Sequence, residues 1–402
     1  MNLFFLSSRK KKSSLSLSLA MSFSLFVSVS PSVQAEVATP ATADAKAVQI
    51  TDVGGRPYVL DDKGDVWGTS ISSRAYRMDL IRDPAHLEKV DGLNKVTSIV
   101  ATGSSAFALK EDGTVWNVEY VESSNSAEKD KWGLYTPKLL TQVPKLKHIV
   151  KIEPYMAVDK DGKLWIWEDI ASSAKTGDWE KYFSSMQTEP VLANGIDHIK
   201  DLSGSTVLKD DGTVWTWECG LRGCDIFNVM RFNNPIQIQG LTDIVKLGQG
   251  TSPDQLALKK DGTVWIWGGG YLSNPKFDGS GIDEPPAPIE GLSDIIDISR
   301  GPEHIVALKK DGTVWAMGYF PRDYAHLNNT LDIENYRSLY QVEGLSDVTA
   351  VFSGDRTDAV IKKDGSLWMW GYDWQGLYGP AWSFQLTPVQ VEVKPIPSTS
   401  RR

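Results

Sequence analysis

The amino-acid sequence predicts an all-β chain, a seven-bladed β-propeller of four-stranded antiparallel blades, and three observations carry that expectation. The string Asp-Gly-Thr-Val-Trp, or a near copy, recurs seven times at a spacing close to fifty residues: Lys63 to Trp67, Asp112 to Trp116, Asp161 to Trp165, Asp211 to Trp215, Asp261 to Trp265, Asp311 to Trp315 and Asp364 to Trp368. A repeat of that length marks a solenoid, propeller or array. Short runs of alternating apolar and polar residues, bounded by Gly, Pro or Asp, surround every copy, and helical spacing is absent. Four such runs per unit, tiled from Ala47 to Val393, suit sheets arranged radially around a channel.

Residues 1–35 stand apart from this pattern. Arg9, Lys10, Lys11 and Lys12 precede an apolar stretch from Leu15 to Val29, then Pro31 and Val33-Gln34-Ala35. A basic start, an apolar core and a small-residue end describe a secretory signal cleaved after Ala35. The Ser-rich, acid-free composition also fits an organellar transit peptide, but the continuous apolar region and the cleavage site favour secretion. The expected organisation is signal peptide 1–35, short linker 36–46, propeller 47–393 and flexible tail 394–402. The expected location is extracellular or cell-wall associated, or periplasmic where the source has an outer membrane. No apolar run beyond the signal is long enough to span a bilayer.

Removal of residues 1–35 takes away four basic residues and no acidic ones, leaving 38 Lys and Arg against 51 Asp and Glu, a formal charge of -13. So acidic a surface repels phosphate backbones, which argues against nucleic acid as a partner. Cys219 and Cys224, five positions apart, are expected to close a small disulfide loop in an oxidising compartment. A zinc site would need a second ligand pair.

Within one unit the residues dictate each strand in turn. In Gly240-Leu-Thr-Asp-Ile-Val-Lys-Leu, then Leu256-Ala-Leu-Lys-Lys-Asp-Gly-Thr-Val-Trp-Ile-Trp267, the Asp261-Gly262 pair lies between two strand-like runs. Such a dipeptide signals a tight hairpin, read here as a type I′ turn with positive φ at both central residues. Trp265 and Trp267 then share one face of their strand, as do Trp165 and Trp167, Trp215 and Trp217, and Trp368 and Trp370. Rings that recur once per unit are expected to be covered by the next unit, as packing between blades. The first unit opens without a preceding Pro-x-Gln-Ile strand, and Pro388-Val-Gln-Val-Glu-Val393 is such a strand. It either completes the seventh blade or crosses to the first.

The unit Gly-Leu-x-x-(Ile/Val)-x-x-(Ile/Leu)-x-x-Gly, followed by Ala-Leu-Lys-x-Asp-Gly-Thr-Val-Trp-x-Trp-Gly, resembles the regulator of chromosome condensation (RCC) repeat. Gly301-Pro-Glu-His304 with Leu308 to Trp315 matches it well, and Trp370-Gly371 with Gly376-Leu-Tyr-Gly379 is similar to the Gly-rich tail of that repeat. The resemblance implies a seven-bladed propeller. The third and fourth units depart from it by shortening the link before the hairpin. The family's nucleotide-exchange role beside chromatin does not fit a signal peptide and an acidic surface. Bacterially secreted members include an inhibitor that clamps a β-lactamase with one propeller face, which this chain resembles in architecture. A quinoprotein propeller, with shorter repeats and a cofactor, is the weaker rival.

Little in the sequence suggests catalysis. His86, His148, His198, His304 and His326 form no His-Glu-x-x-His pair, and no Gly-x-Ser-x-Gly or phosphate loop occurs. His304 reads as a structural, hydrogen-bonded residue. Asp159-Lys-Asp161-Gly162 has the start of a calcium loop without its later ligands and coincides with a hairpin tip. No cofactor and no metal are expected.

What the scaffold leaves unexplained is the long, dissimilar insertions between the third and fourth strands of the units. They carry Trp132 and Tyr135, Trp179 and Tyr182, Tyr271 and Phe277, Tyr319 and Phe320, and Trp374 and Trp382. Successive antiparallel strands reverse direction, so all the insertions reach one rim while the Asp-Gly tips and Gly-Leu links reach the other. Variable aromatic loops on a constant scaffold suit a binding surface. The function read from this is a secreted, non-catalytic module binding an extracellular protein, and the chain is expected to be monomeric. A cell-wall glycan stacked on Trp and Tyr is the alternative, and a lyase working at the channel mouth a more remote one.

Overall fold

Seven short strands of closely similar sequence form the inner wall of a ring: Ala47–Val53, Val96–Ala101, Ile149–Glu153, Ile199–Ser203, Ile244–Leu247, Ile295–Arg300 and Val348–Ser353. Each contacts its counterpart in the adjacent blade, including the first with the seventh. The structure is a computed structural model that describes residues 45–393 apart from 54–55, 70, 73–86, 102–105, 124–133, 168–188, 205, 218–233, 250–253, 270–271, 274–283, 302–303, 319–337, 355–356 and 374–382. Among the described residues there is no helix.

Each blade adds its second, third and fourth strands outward in chain order, all antiparallel. Blade 5 is representative: Ile244–Leu247 pairs with Asp254–Lys259, that strand with Val264–Gly268, and the latter with Glu284–Pro288. The seven-bladed, four-stranded arrangement expected from the repeat is thus the observed one. A two-residue strand, Ile71–Ser72, extends blade 2 by pairing with Leu134–Gln142, so that sheet has five strands.

In every blade the register slips between the first and third residues of the inner strand, as between Ile244 and Lys246. This β-bulge explains a feature of the repeat that alternation by itself does not. Ile244 and Leu247 lie three apart and would face opposite sides of a regular strand, yet both are buried. One extra residue brings them to the same side and leaves Val245 exposed and Lys246 half-buried between them.

The hairpin tip differs from the type I′ turn expected. Lys259 N–H donates to Thr263 O at 2.9 Å and Gly262 N–H to Lys259 O at 3.0 Å, while only Gly262, at φ +83°, has positive φ. The loop therefore holds three residues, Lys260-Asp261-Gly262, and the glycine supplies the left-handed step that a longer hairpin needs. A Cβ there would sit 3.1 Å from Asp294 Cα of blade 6, so the glycine also lets the tip touch the next blade.

That contact carries a backbone bond at six of the seven junctions. Ile295 N–H donates to Gly262 O at 3.0 Å, and the same bond joins Val96 to Gly64, Ile149 to Gly113, Ile199 to Gly162 and Ile244 to Gly212. The ring closes in the same way, by Ala47 N–H to Gly365 O at 3.2 Å. Ser383–Val391 completes blade 7 beside Leu367–Asp373, and blade 1 has its own outer strand, Leu87–Lys89. Among the described residues no strand crosses from one terminus to the other. The fourth strand missing before Ala47 follows it instead, as Leu87-Glu-Lys-Val-Asp-Gly-Leu93, a divergent copy of Pro-x-Gln-Ile-x-Gly-Leu.

Apolar clusters lie between blades. Trp217 packs with Met156 and Val158 of blade 3, Trp267 with Leu208 and Val214 of blade 4, and Trp370 with Val306 and Leu308 of blade 6. Each ring is thus covered by the preceding blade, opposite to the direction expected, because the inward face of this strand points back along the ring. In blade 1 Thr69 stands where the second Trp would be, and Trp67, the counterpart of Trp265, is the ring that joins Ala359, Ile361 and Leu367 of blade 7 at the closing junction.

Candidate functional site

The Asp-Gly tips show what the repeated residues do. Asp261 Oδ1 accepts from Thr263 N–H at 3.0 Å and from Thr263 Oγ1 at 2.6 Å, and Thr263 Oγ1 accepts from the indole of Trp265 at 3.3 Å. Lys259 Nζ lies 5.0 Å from the centre of the same ring. These bonds, led by the Thr hydroxyl, hold Asp112, Asp211, Asp261 and Asp311 below the usual carboxylate pKa, and Ser366 does the same for Asp364.

Blades 1 and 3 solve the problem differently. Where the others have Lys they have Asp61 and Asp159, and where the others have Thr or Ser they have Asp65 and Lys163. Asp159 Oδ2 takes the Trp165 indole directly at 2.9 Å, while Oδ1 accepts from Asp161 N–H and Lys163 N–H. Asp61 repeats this with Trp67. The calcium-like string at Asp159 is therefore turn chemistry. This rim is scaffold.

The opposite rim receives the ends of the inner strands, and here the structure has a buried polar platform. Arg300, 2% exposed, leaves blade 6, donates through Nε to Gly248 O of blade 5 at 3.1 Å and through Nη1 to Asp254 O, and reaches Ser203 Oγ of blade 4 through Nη2 at 3.3 Å. Ser203 Oγ donates to Gly248 O at 2.7 Å, and Gln249 Nε2 to Leu202 O at 2.7 Å. Burial lowers the Arg300 pKa to about 10, countered by the charges of Asp254 and Glu153, so the guanidinium stays charged at neutral pH.

One level nearer the tips, Lys151 pairs with Asp201 and Lys246 with Asp297. Asp201 Oδ2 also accepts from Leu247 N–H at 2.9 Å and Asp297 Oδ2 from Val351 N–H at 3.1 Å, so each carboxylate stitches its blade to the next. Glu153 stands above Lys151. Its Oε1 is buried without a hydrogen-bond partner among the described residues, and burial pushes its pKa up to about 8, opposed by Lys151 and Arg300 and aided by Asp201.

His304, Asp358 and Ser353 are the residue types of a hydrolytic triad in the wrong arrangement. Asp358 Oδ1 lies 2.8 Å and Ser353 Oγ 2.6 Å from the same His304 nitrogen, Nε2, and Ser353 Oγ donates to Asp358 Oδ1 at 2.6 Å. A triad needs the carboxylate on one ring nitrogen and the nucleophile on the other. His304 is 4% exposed, and a Cβ on Gly301 would lie 2.2 Å from its Cε1. The histidine is a packed joint between blades 6 and 7. No group of His, Cys, Asp or Glu among the described residues is arranged to hold a metal ion.

Of the aromatics expected to bind, Tyr135 lies in the fourth strand of blade 2, paired with Glu122 and Ile71, and not in a loop. Trp132, Trp179, Tyr182, Tyr271, Phe277, Tyr319, Phe320, Trp374 and Trp382 lie outside the described residues, as do Ala35, Cys219 and Cys224. The described start of one insertion is anchored: Asp254 accepts from Leu272 N–H at 3.0 Å and Ser273 N–H at 2.9 Å, and Leu272 is buried in the core. Sequence reading passed over Arg300, Glu153 and Asp254, although Arg300 is the one basic and Glu153 the one charged residue at their places in the seven inner-strand segments.

No protein-family model matches the chain and no curated protein matches it. Among solved structures, human WBSCR16 is similar at 17% identity and a TM-score of 0.53, over 77% of this chain and 87% of that one. Yeast RCC1 (Prp20), in a crystal structure bound to Kap60, is similar at 15% identity and a TM-score of 0.44, over 86% of this chain and 75% of that one. A further structure of Prp20p from Saccharomyces cerevisiae, whose binding to Gsp1p and histones was characterised, gives 15% identity and a TM-score of 0.45, over 86% and 77%. The likeness to WBSCR16 is one of fold. No helix among the described residues is long and apolar enough to cross a membrane.

Proposed function

We propose that this RCC-like propeller is a secreted, non-catalytic module that binds an extracellular protein through the rim bearing the insertions. The observation that supports the reading is the contrast between the rims. One repeats the same tip-to-link backbone bonds from blade to blade. At the other, the strands between which the sequence inserts its unlike segments end beside polar residues bonded to one another across blades, including the triad-like trio locked on a single ring nitrogen. Rigid support beneath variable loops favours recognition, and polar groups engaged with each other are poorly placed for turnover. An acidic surface suits a basic partner.

The test is capture of partners from culture supernatant and wall fractions by the full chain. Alanine at Trp132, Trp179, Tyr271, Tyr319, Trp374 and Trp382 should abolish capture, whereas Lys160→Ala with Lys163→Ala on the other rim should not. Capture that salt leaves unchanged and soluble saccharide displaces would replace the protein partner with a glycan. Sequencing the N-terminus of the released protein checks processing after Ala35.

A further inference from the structure

The tip rim carries a charge pattern that the scaffold does not require. In all seven blades the residue just before the inner strand accepts, through its carbonyl, the N–H of a residue in the hairpin tip: Lys46 from Asp62, Lys95 from Glu111, His148 from Lys160, His198 from Asp210, Asp243 from Lys260, Asp294 from Lys310 and Asp347 from Lys363, at 2.8 to 2.9 Å. A backbone bond is indifferent to side-chain charge. Yet the inner member is basic in blades 1 and 2, histidine in 3 and 4, and acidic in 5, 6 and 7. The outer member is acidic in blades 1, 2 and 4 and basic in 3, 5, 6 and 7. Lys95, Glu111, Asp294, Lys310, Asp347 and Lys363 are exposed, and none is held in an ion pair with another described residue.

Two positions on from each inner member of this collar comes the second residue of the inner strand. Val48, Val150, Val245 and Ile296 are 48%, 60%, 37% and 51% exposed, an apolar ring broken by Thr97, Lys200 and Thr349. Exposed apolar residues gathered at one rim are surface that association would remove from water.

We propose that this rim is a homodimer interface, with two copies meeting face to face about a two-fold axis that lies in the plane of the rim and passes through blade 4. Such an axis exchanges blade 1 with 7, 2 with 6 and 3 with 5. Lys46 then faces the second copy's Asp347, Lys95 faces Asp294, Asp62 faces Lys363 and Glu111 faces Lys310, each pairing occurring twice. The third exchange is half matched, His148 meeting Asp243 while Lys160 meets Lys260. An interface of this type is isologous and its charge pattern complements itself, which the two opposite halves of the collar allow and a uniformly charged rim would forbid. The apolar rings come face to face. The arrangement departs from the monomer expected from the sequence, leaves both insertion rims facing outward and stands independently of what those rims bind.

Sedimentation equilibrium of the full chain tests the proposal. Two-copy mass at low ionic strength should give way to one-copy mass as salt screens the rim. Glu111→Lys and Lys310→Glu should each weaken association about tenfold or more, while the double variant restores it to within about threefold of the parent, since the swap rebuilds both pairs. The mismatched double variant Glu111→Lys with Lys363→Glu should not restore it. These side chains are exposed, and an unchanged melting temperature confirms that each variant folds. One-copy mass at every salt concentration, or a matched swap no better than its single variants, overturns the interface.

Discussion

Arg300 Nη2 of blade 6 lies 3.3 Å from Ser203 Oγ of blade 4, so one side chain spans a complete blade and ties three blades together at the channel. On the side of the insertion rim, blades 4, 5 and 6 are therefore joined through one buried guanidinium. Arg300→Met should keep much of the side-chain volume while leaving Gly248 O, Asp254 O and Ser203 Oγ short of their donor. A loss of about 3 kcal/mol is expected, read as a lower urea midpoint at unchanged slope. A midpoint equal to the parent's would show that the guanidinium does not bind the blades together.

Glu153 gives the ring an alkaline weakness. Burial lifts its folded pKa to about 8, above the ordinary 4.5, so the folded chain holds this proton more tightly than the unfolded one. Its contribution to stability is complete below about pH 4.5, declines as pH rises and is lost once pH passes about 8. Between pH 6 and 9 the melting temperature of the parent should fall more steeply than that of Glu153→Gln, which cannot ionise. Parallel curves would mean that Glu153 titrates as it does in water.

The two turn chemistries make a direct exchange experiment. Lys259→Asp removes the ammonium from Trp265, and Thr263→Lys removes the indole's acceptor; each should cost about 1 kcal/mol. Together they rebuild in blade 5 the arrangement of Asp159, Lys163 and Trp165. The double variant should then lose less stability than the sum of the single variants, by about 1 kcal/mol in a denaturant cycle. Simple additivity would leave the Asp-to-indole bond without energetic weight.

Gly262 and Gly240 separate backbone strain from contact. Both have positive φ, +83° and +86°, but a Cβ at 262 meets Asp294 Cα at 3.1 Å and one at 240 meets nothing within 4 Å. Gly240→Ala should cost about 1 kcal/mol from strain, and Gly262→Ala distinctly more, since the tip would be lifted from blade 6. Equal losses would show that the tip-to-link contact is slack.

The sequence by itself determined the number of blades, the antiparallel hairpins, the rim on which each connection falls and the burial of the second Trp in units such as Trp265-Ile-Trp267. These follow from local rules repeated many times: alternation, an Asp-Gly tip and strand reversal. It also held, unread, the replacement of Lys by Asp61 and Asp159 together with the loss of Thr at 65 and 163 in blades 1 and 3, because that covariation has meaning only once the indole N–H is seen to need an acceptor. The tertiary structure decided the rest. Whether Trp267 covers the preceding or the following blade depends on the direction in which the sheets stack, which period-two alternation does not encode. The last strand stays in blade 7 because Leu87–Lys89 already occupies the edge of blade 1. Arg300 could not be linked to Ser203, 97 positions away, since only closure of the ring brings blades 4 and 6 to a common centre, where burial leaves a charge no alternative to protein acceptors.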